Sequence, residues 1–156
     1  RQQGKYDEAK AELAHALMLD RLLSNRPHEA KTLNALGVVS HLRRHFNEAL
    51  DYYQQALQIR EAIGDRAGVG ASKLSIAQAL GNLGDHGQAE PLLREALQIQ
   101  QAIKDRWWET LIWNEMGILY LMVGDLVQAK DSLHQGLRLS EEIGDEAKEI
   151  AVVPTG

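Results

Sequence analysis

"IGDR" at residues 63–66 recurs as "IKDR" at 103–106 and as "IGDE" at 143–146, 40 residues apart each time. One step further back the chain reads "LSNR" at 23–26, which keeps the amide-or-acid and the arginine. Two more registers run in step with this one. Ala9, Ala49, Ala89 and Ala129 form the first, and Ala16-Leu17, Ala56-Leu57, Ala96-Leu97 and Gly136-Leu137 form the second. Three coincident registers make the chain a repeat array. Its units cannot bury an apolar face alone and must stack on one another.

Each unit reads as two helices. Asn25, Asp65, Asp105 and Asp145 stand where a helix N-cap belongs, because an Asx side chain accepts hydrogen bonds from otherwise unpaired amides. Pro27 falls in the first turn, where its missing N–H costs least. Helix A then runs to a break near Gly84 or Gly124, with glycine supplying a left-handed C-cap. Asp85 and Asp125 restart the chain as helix B, with Gln88 and Gln128 three residues on, and helix B ends at Gly64 or Gly144. Gly37, Ala77 and Gly117 on helix A let the helix backbones approach closely, as do the alanines on helix B. Larger neighbours (Leu36, Ile76 and Met116; Tyr53, Leu93 and Leu133) fill the adjacent space. Nothing reads as a strand.

The expected fold is all-α, a solenoid of antiparallel helix pairs in one domain over residues 1–156. A lone helix B occupies 4–24, full units occupy 25–64, 65–104 and 105–144, and a truncated helix A occupies 145–156, where Pro154 stands in the path of the helix.

Composition excludes several classes of function. Lys and Arg number 17 against 22 Asp and Glu, a formal net charge of −5, so the chain has no global attraction for nucleic acid or an anionic membrane. The longest basic cluster, "HLRRH" at 41–45, reads as solvated surface. There is no cysteine, hence neither a disulfide framework nor a thiolate metal site, which fits a reducing, cytoplasmic setting. No apolar run approaches the roughly 20 residues that span a bilayer. The sequence opens on Arg1 rather than methionine, as a fragment or processed chain would.

The run Trp113-x2-Met116-Gly117-x2-Tyr120-x8-Ala129-x3-Leu133 resembles the tetratricopeptide repeat, whose pattern is W-x2-L-G-x2-Y followed by A and F. The first full unit matches through Leu33, Leu36, Gly37, Ser40, Ala49, Tyr53 and Ala56. The middle unit matches more weakly, through Lys73, Ile76, Ala77, Leu80, Ala89, Leu93 and Ala96. The period departs from the family's usual value of about 34, and Arg21, Glu61, Gln101 and Glu141 replace its terminal proline. The longer unit with "IGD" between repeats resembles those of bacterial signalling ATPases, transcription activators and Pins-type polarity adaptors. "AEPLLREALQI" at 89–99 is similar to the kinesin light chain type.

This resemblance implies a right-handed superhelix whose A helices line a concave, partner-binding groove. In the last full unit the helix A stripe would read Trp107, Leu111, Asn114, Ile118 and Met122, and in the middle unit Leu74, Gln78 and Asn82 follow Ala67 and Ala71. The first full unit offers Lys31, Asn34 and Val38, with His41 beside them. Trp113 matches the family's core position. Trp107 fits either the groove or inter-repeat packing, and Trp108, about 100° round the helix, points to packing on the next repeat. Lys31 and Lys73 do not reproduce the lysine- and asparagine-rich clamp with which chaperone-binding members hold a terminal carboxylate.

No catalytic motif is present, no cofactor is implied, and the six histidines form no metal motif: the interhelix turn should separate His41 from His45. The expected function is a non-catalytic scaffold that holds a peptide or helix of another protein within a larger regulatory protein. The alternatives are a sensor domain in which a peptide or small ligand changes the curvature and signals to an attached effector, and a spacer between domains. Open apolar ends predict self-association.

Overall fold

The computed structural model describes residues 1–152. Pro154, and the helix break expected there, lie outside the described residues. Among the described residues seven helices follow one another: α1 (Gln2–Leu22), α2 (Arg26–Leu42), α3 (Phe46–Ala62), α4 (Arg66–Asn82), α5 (His86–Ala102), α6 (Arg106–Val123) and α7 (Leu126–Val152). The most extensive packing joins α2 to α3, α4 to α5 and α6 to α7 as pairs. Each pair then rests on the next through α3–α4 and α5–α6, and α4 also touches α6 directly. The result is an all-α helical-repeat solenoid in which α2, α4 and α6 take the helix A role.

The turns explain why the helices begin and end where they do. Residues with left-handed backbone fall at Ser24, Arg44, Gly64, Gly84, Lys104 and Gly124, one every 20 residues. The next residue in each case precedes a new helix. Asn25, Asp65, Asp85, Asp105 and Asp125 accept a hydrogen bond from the backbone N–H three residues on, at 2.9–3.3 Å. His45 occupies the equivalent place before α3 without such a bond.

Three of the six left-handed positions carry a Cβ, which costs roughly 1 kcal/mol at each. Arg44→Gly or Lys104→Gly should therefore stabilise the fold by about 0.5 kcal/mol, after the greater freedom of glycine in the unfolded chain is subtracted. Gly84→Ala should destabilise it by about 1 kcal/mol. Urea midpoints at constant m-value read both changes. Shifts of one sign for all three variants would sink the argument.

Alanines fill the helix crossings. Ala49, Ala56, Ala89, Ala96 and Ala129 are buried, and Gly37, Ala77 and Gly117 face the larger Tyr53, Leu93 and Leu133. The stacking junctions vary more than the crossings do. Between α1 and α2, Thr32 Oγ1 donates to the buried Asp20 at 2.7 Å. Between α3 and α4, Arg60 donates to Ser72 Oγ at 2.8 Å. At the third junction Ile112 takes that position and joins the apolar core, while the buried Gln100 turns back to the carbonyl of Ala67 at 3.4 Å.

One feature of the fold departs from the sequence expectation. The helix break at Gly144–Asp145 does not occur: α7 runs through it to Val152. Arg106 on α6 pairs with both Glu142, at 3.8 Å, and Glu146, which straddle the expected break. Residues 145–151 are exposed throughout. Pro91, meanwhile, lies inside α5 on the exposed side and forfeits one hydrogen bond to the carbonyl four residues back. The helix continues past it because Ala89 and Leu93, on either side, are both buried.

Candidate functional site

A cleft opens between α4 and α6, with α5 as its floor. Ala77, Gln78, Gly81 and Asn82 form one wall, Glu115, Ile118, Leu119 and Met122 the other, and Ala89 and Leu93 the base. Four residues expected to face a partner, Gln78, Asn82, Ile118 and Met122, thus meet in one place. The face continues towards α2, where Asn82 Nδ2 lies 3.2 Å from His41 Nε2. His41 packs edge-on against Phe46, and burial together with the nearby Arg44 holds its pKa below the usual histidine value.

Other expected site residues fall elsewhere. Lys31 and Val38 are exposed on α2, and Asn34 is half-buried with its Oδ1 enclosed and without a hydrogen-bond partner. Leu74 is corrected: it is only 4% exposed and belongs to the core, because its position faces α5. The equivalent Asn114 lies over Gly136 of α7, on the side of its own helix pair, and Leu111 packs against the core from a half-buried position. Asn114 is exposed, and its neighbour Glu115 is the residue of this part of α6 that lines the cleft. Trp107 stands exposed at the start of α6, edge-to-face with Trp108 at 5.3 Å, while Trp108 and Trp113 pack against the core from half-buried positions.

Glu115 is the residue that sequence reasoning missed. The signal was present: 115, 118 and 122 share a helix face, and the equivalents of 115 are Ala35 and Ser75, so a charge there breaks the repeat. Burial pushes its carboxyl above the usual carboxylate range, and hydrogen bonding by the neighbouring Gln78 only partly offsets this. No charged side chain of α4 or α5 lines the cleft around it.

The sign of the resulting stability effect follows from linkage. An acid whose pKa is raised on folding binds its proton more tightly in the native state, so it costs stability as pH rises from the unfolded-state value through the folded one. Glu115→Gln should therefore raise stability near neutral pH, with the gain disappearing at about pH 4, where carboxyls begin to protonate even when exposed. An equal gain at both pH values would remove burial of the charge as the cause.

The exposed apolar surface is not confined to the cleft. Met18, Leu22 and Leu23 on and just after α1, and Leu126, Leu133 and Leu137 on α7, present apolar side chains to solvent. No described helix is long and apolar enough to cross a membrane.

Comparison with known proteins places this geometry among helical repeats. In fold the chain is similar to BtubC from P. vanneervenii, at 20% identity and a TM-score of 0.82 over 90% of this chain and 57% of that one. It thus spans little more than half the length of that protein. It is also similar to the nearly identical TPR-like repeats of a candidate kinesin light chain from Podosopora anserina, at 20% identity and a TM-score of 0.70 over 90% of this chain and 70% of that one. A single-substitution variant of those repeats gives 19% identity and a TM-score of 0.73 over 92% of this chain and 70% of that one. Comparison with curated proteins gives no match. The tetratricopeptide repeat family matches residues 1–62 and again 69–103. Over those two stretches, which together make up more than half of the chain, this protein belongs to the tetratricopeptide repeat family.

Proposed function

We propose that this chain is a non-catalytic interaction scaffold that holds a peptide or helix of another protein along the face shared by α2, α4 and α6. The observation that carries this reading is the cleft between α4 and α6, where exposed Ile118 and Met122 stand opposite the amides of Gln78 and Asn82. Apolar side chains supply area, and an amide offers a donor and an acceptor together to a peptide backbone. The test is capture from source-cell lysate by the wild type and by an Ile118→Asp, Met122→Asp double variant of equal helicity. Both positions are about half exposed, 49% and 57%, so the variant keeps its core. A partner retained by the wild type and lost by the variant is the expected result. Identical capture would move the binding surface elsewhere.

A second reading is favoured by the exposed leucines of α1 and α7. These faces lack the apolar cover that the inner helices have and associate with a further repeat or with another copy. Light scattering should then show a mass that rises with concentration. Leu22→Glu with Leu137→Glu should abolish that rise, and a monomer at every concentration would contradict the reading.

A further inference from the structure

The cleft between α4 and α6 has a counterpart one repeat earlier, between α2 and α4, and nine of the ten lining positions differ between them, two of which decide what can enter. At the first junction His41 projects into the equivalent space and reaches Asn82. At the second, the residue equivalent to His41 is Gly81, where an added Cβ would meet nothing within 4 Å. The space is thereby left open. On the opposite wall the first junction carries Ser75 and the second carries Glu115. Two independent departures from the repeat, one removing bulk and one adding charge, thus converge on one cleft.

The charge is also unmatched. Among the described residues Glu115 forms no ion pair, and no charged side chain of α4 or α5 lines the cleft around it. A carboxylate withdrawn from water among Leu93, Leu119, Ile118 and Met122 is stabilised by a cation entering from the open side. Lysine and arginine meet both demands, since their methylene stems lie on apolar walls while the charged end pairs.

We infer that this cleft takes the side chain of a lysine or arginine from the bound partner segment, with Glu115 as its counter-ion and Ile118 and Met122 against its stem. The inference rests on the scaffold reading above and names the chemistry of what is held. The clamp of chaperone-binding members holds an anion. Here the charge on the protein is the opposite one, so the preferred segment carries a cation within an apolar stretch.

The test is a selection of random peptides displayed on phage against the whole chain. The enriched peptides are then titrated onto the wild type, Glu115→Gln and Ile118→Asp. The expected result is a lysine or arginine at one position of the enriched peptides, with binding weakened about tenfold by Glu115→Gln, equivalent to about 1.4 kcal/mol. Replacing that cationic residue by methionine should weaken binding to the wild type by a similar factor and to Glu115→Gln hardly further, as a direct pair requires. Peptides that lose binding to Ile118→Asp but not to Glu115→Gln would overturn the cation site and leave the scaffold reading intact. Enrichment of nothing, or of peptides indifferent to both changes, would overturn the two together.

Discussion

Gly37→Val is expected to lower the stability of the fold by about 3 kcal/mol, at the upper end of what overpacking a helix crossing costs. A Cβ at this position would sit 2.5 Å from Cε1 and 2.6 Å from Cδ1 of Tyr53, far inside contact distance. The ring cannot step aside cheaply, because Tyr53 is itself buried in the core, where burial also pushes its hydroxyl pKa up to about 12. The same valine at Gly117 meets Leu133, a flexible side chain that is 38% exposed, and should cost less. Gly87→Ala makes the contrast sharp. That helical glycine has nothing within 4 Å of its added Cβ, so alanine should stabilise α5 by about 0.5 kcal/mol through helix propensity alone. Chemical denaturation of the three variants checks the ordering. A Gly37→Val protein as stable as the wild type would mean that α2 and α3 do not pack at the spacing described.

Much of this architecture was legible because the same physical demand recurs at every crossing. Ala49, Ala89 and Ala129 sit where backbones meet, and their 40-residue spacing, with the two registers in step with it, announced the repeat. The turns were legible where glycine marked them, at Gly64, Gly84 and Gly124. They were illegible as left-handed at Ser24, Arg44 and Lys104, where tertiary packing imposes a conformation that the side chain resists. Gly144 misled for the opposite reason. The tripeptide Ile-Gly-Asp turns at 63–65, where α4 then packs onto α3, and stays helical at 143–145, where the described residues that follow, 146–151, are exposed. A turn signal is a permission, and packing decides whether it is used.

The candidate site divides along similar lines. Gln78, Asn82, Ile118 and Met122 followed from the family resemblance, which puts a helix A stripe on the groove, and from the helical periodicity that names its members. Leu74 was not separable from them by spacing, because a helix A has two flanks and only the neighbouring helices decide which is covered. Glu115 went unnoticed because the family pattern carries no expectation at its position. The structure sets it across one cleft from the open Gly81, a placement that no spacing within α6 encodes.

Leu93→Ala joins the core to the site and should cost about 4 kcal/mol. Leu93 is 1% exposed, packs within the central cluster that α3 to α7 share, and forms the base of the cleft. Truncation there removes transfer free energy and leaves a cavity, which together cost about 2–5 kcal/mol for a leucine in a close-packed core. Leu133→Ala, at the equivalent position of the next repeat but 38% exposed, should cost about 1 kcal/mol. Location matters as much as burial. A repeat array holds together through nearest-neighbour interfaces, so weakening α5 uncouples the α1–α3 side from α6 and α7. The urea transition of Leu93→Ala should accordingly broaden as well as shift, and hydrogen exchange should rise in α6 before it rises in α2. If the cleft holds a partner's side chain as proposed, loss of the Leu93 side chain removes apolar contact at its base, so affinity should fall even under conditions where the variant is fully folded. Equal losses for Leu93→Ala and Leu133→Ala, with a single sharp transition in both, would show that the central repeat is not the coupling element and that the base of the cleft contributes nothing special to the fold.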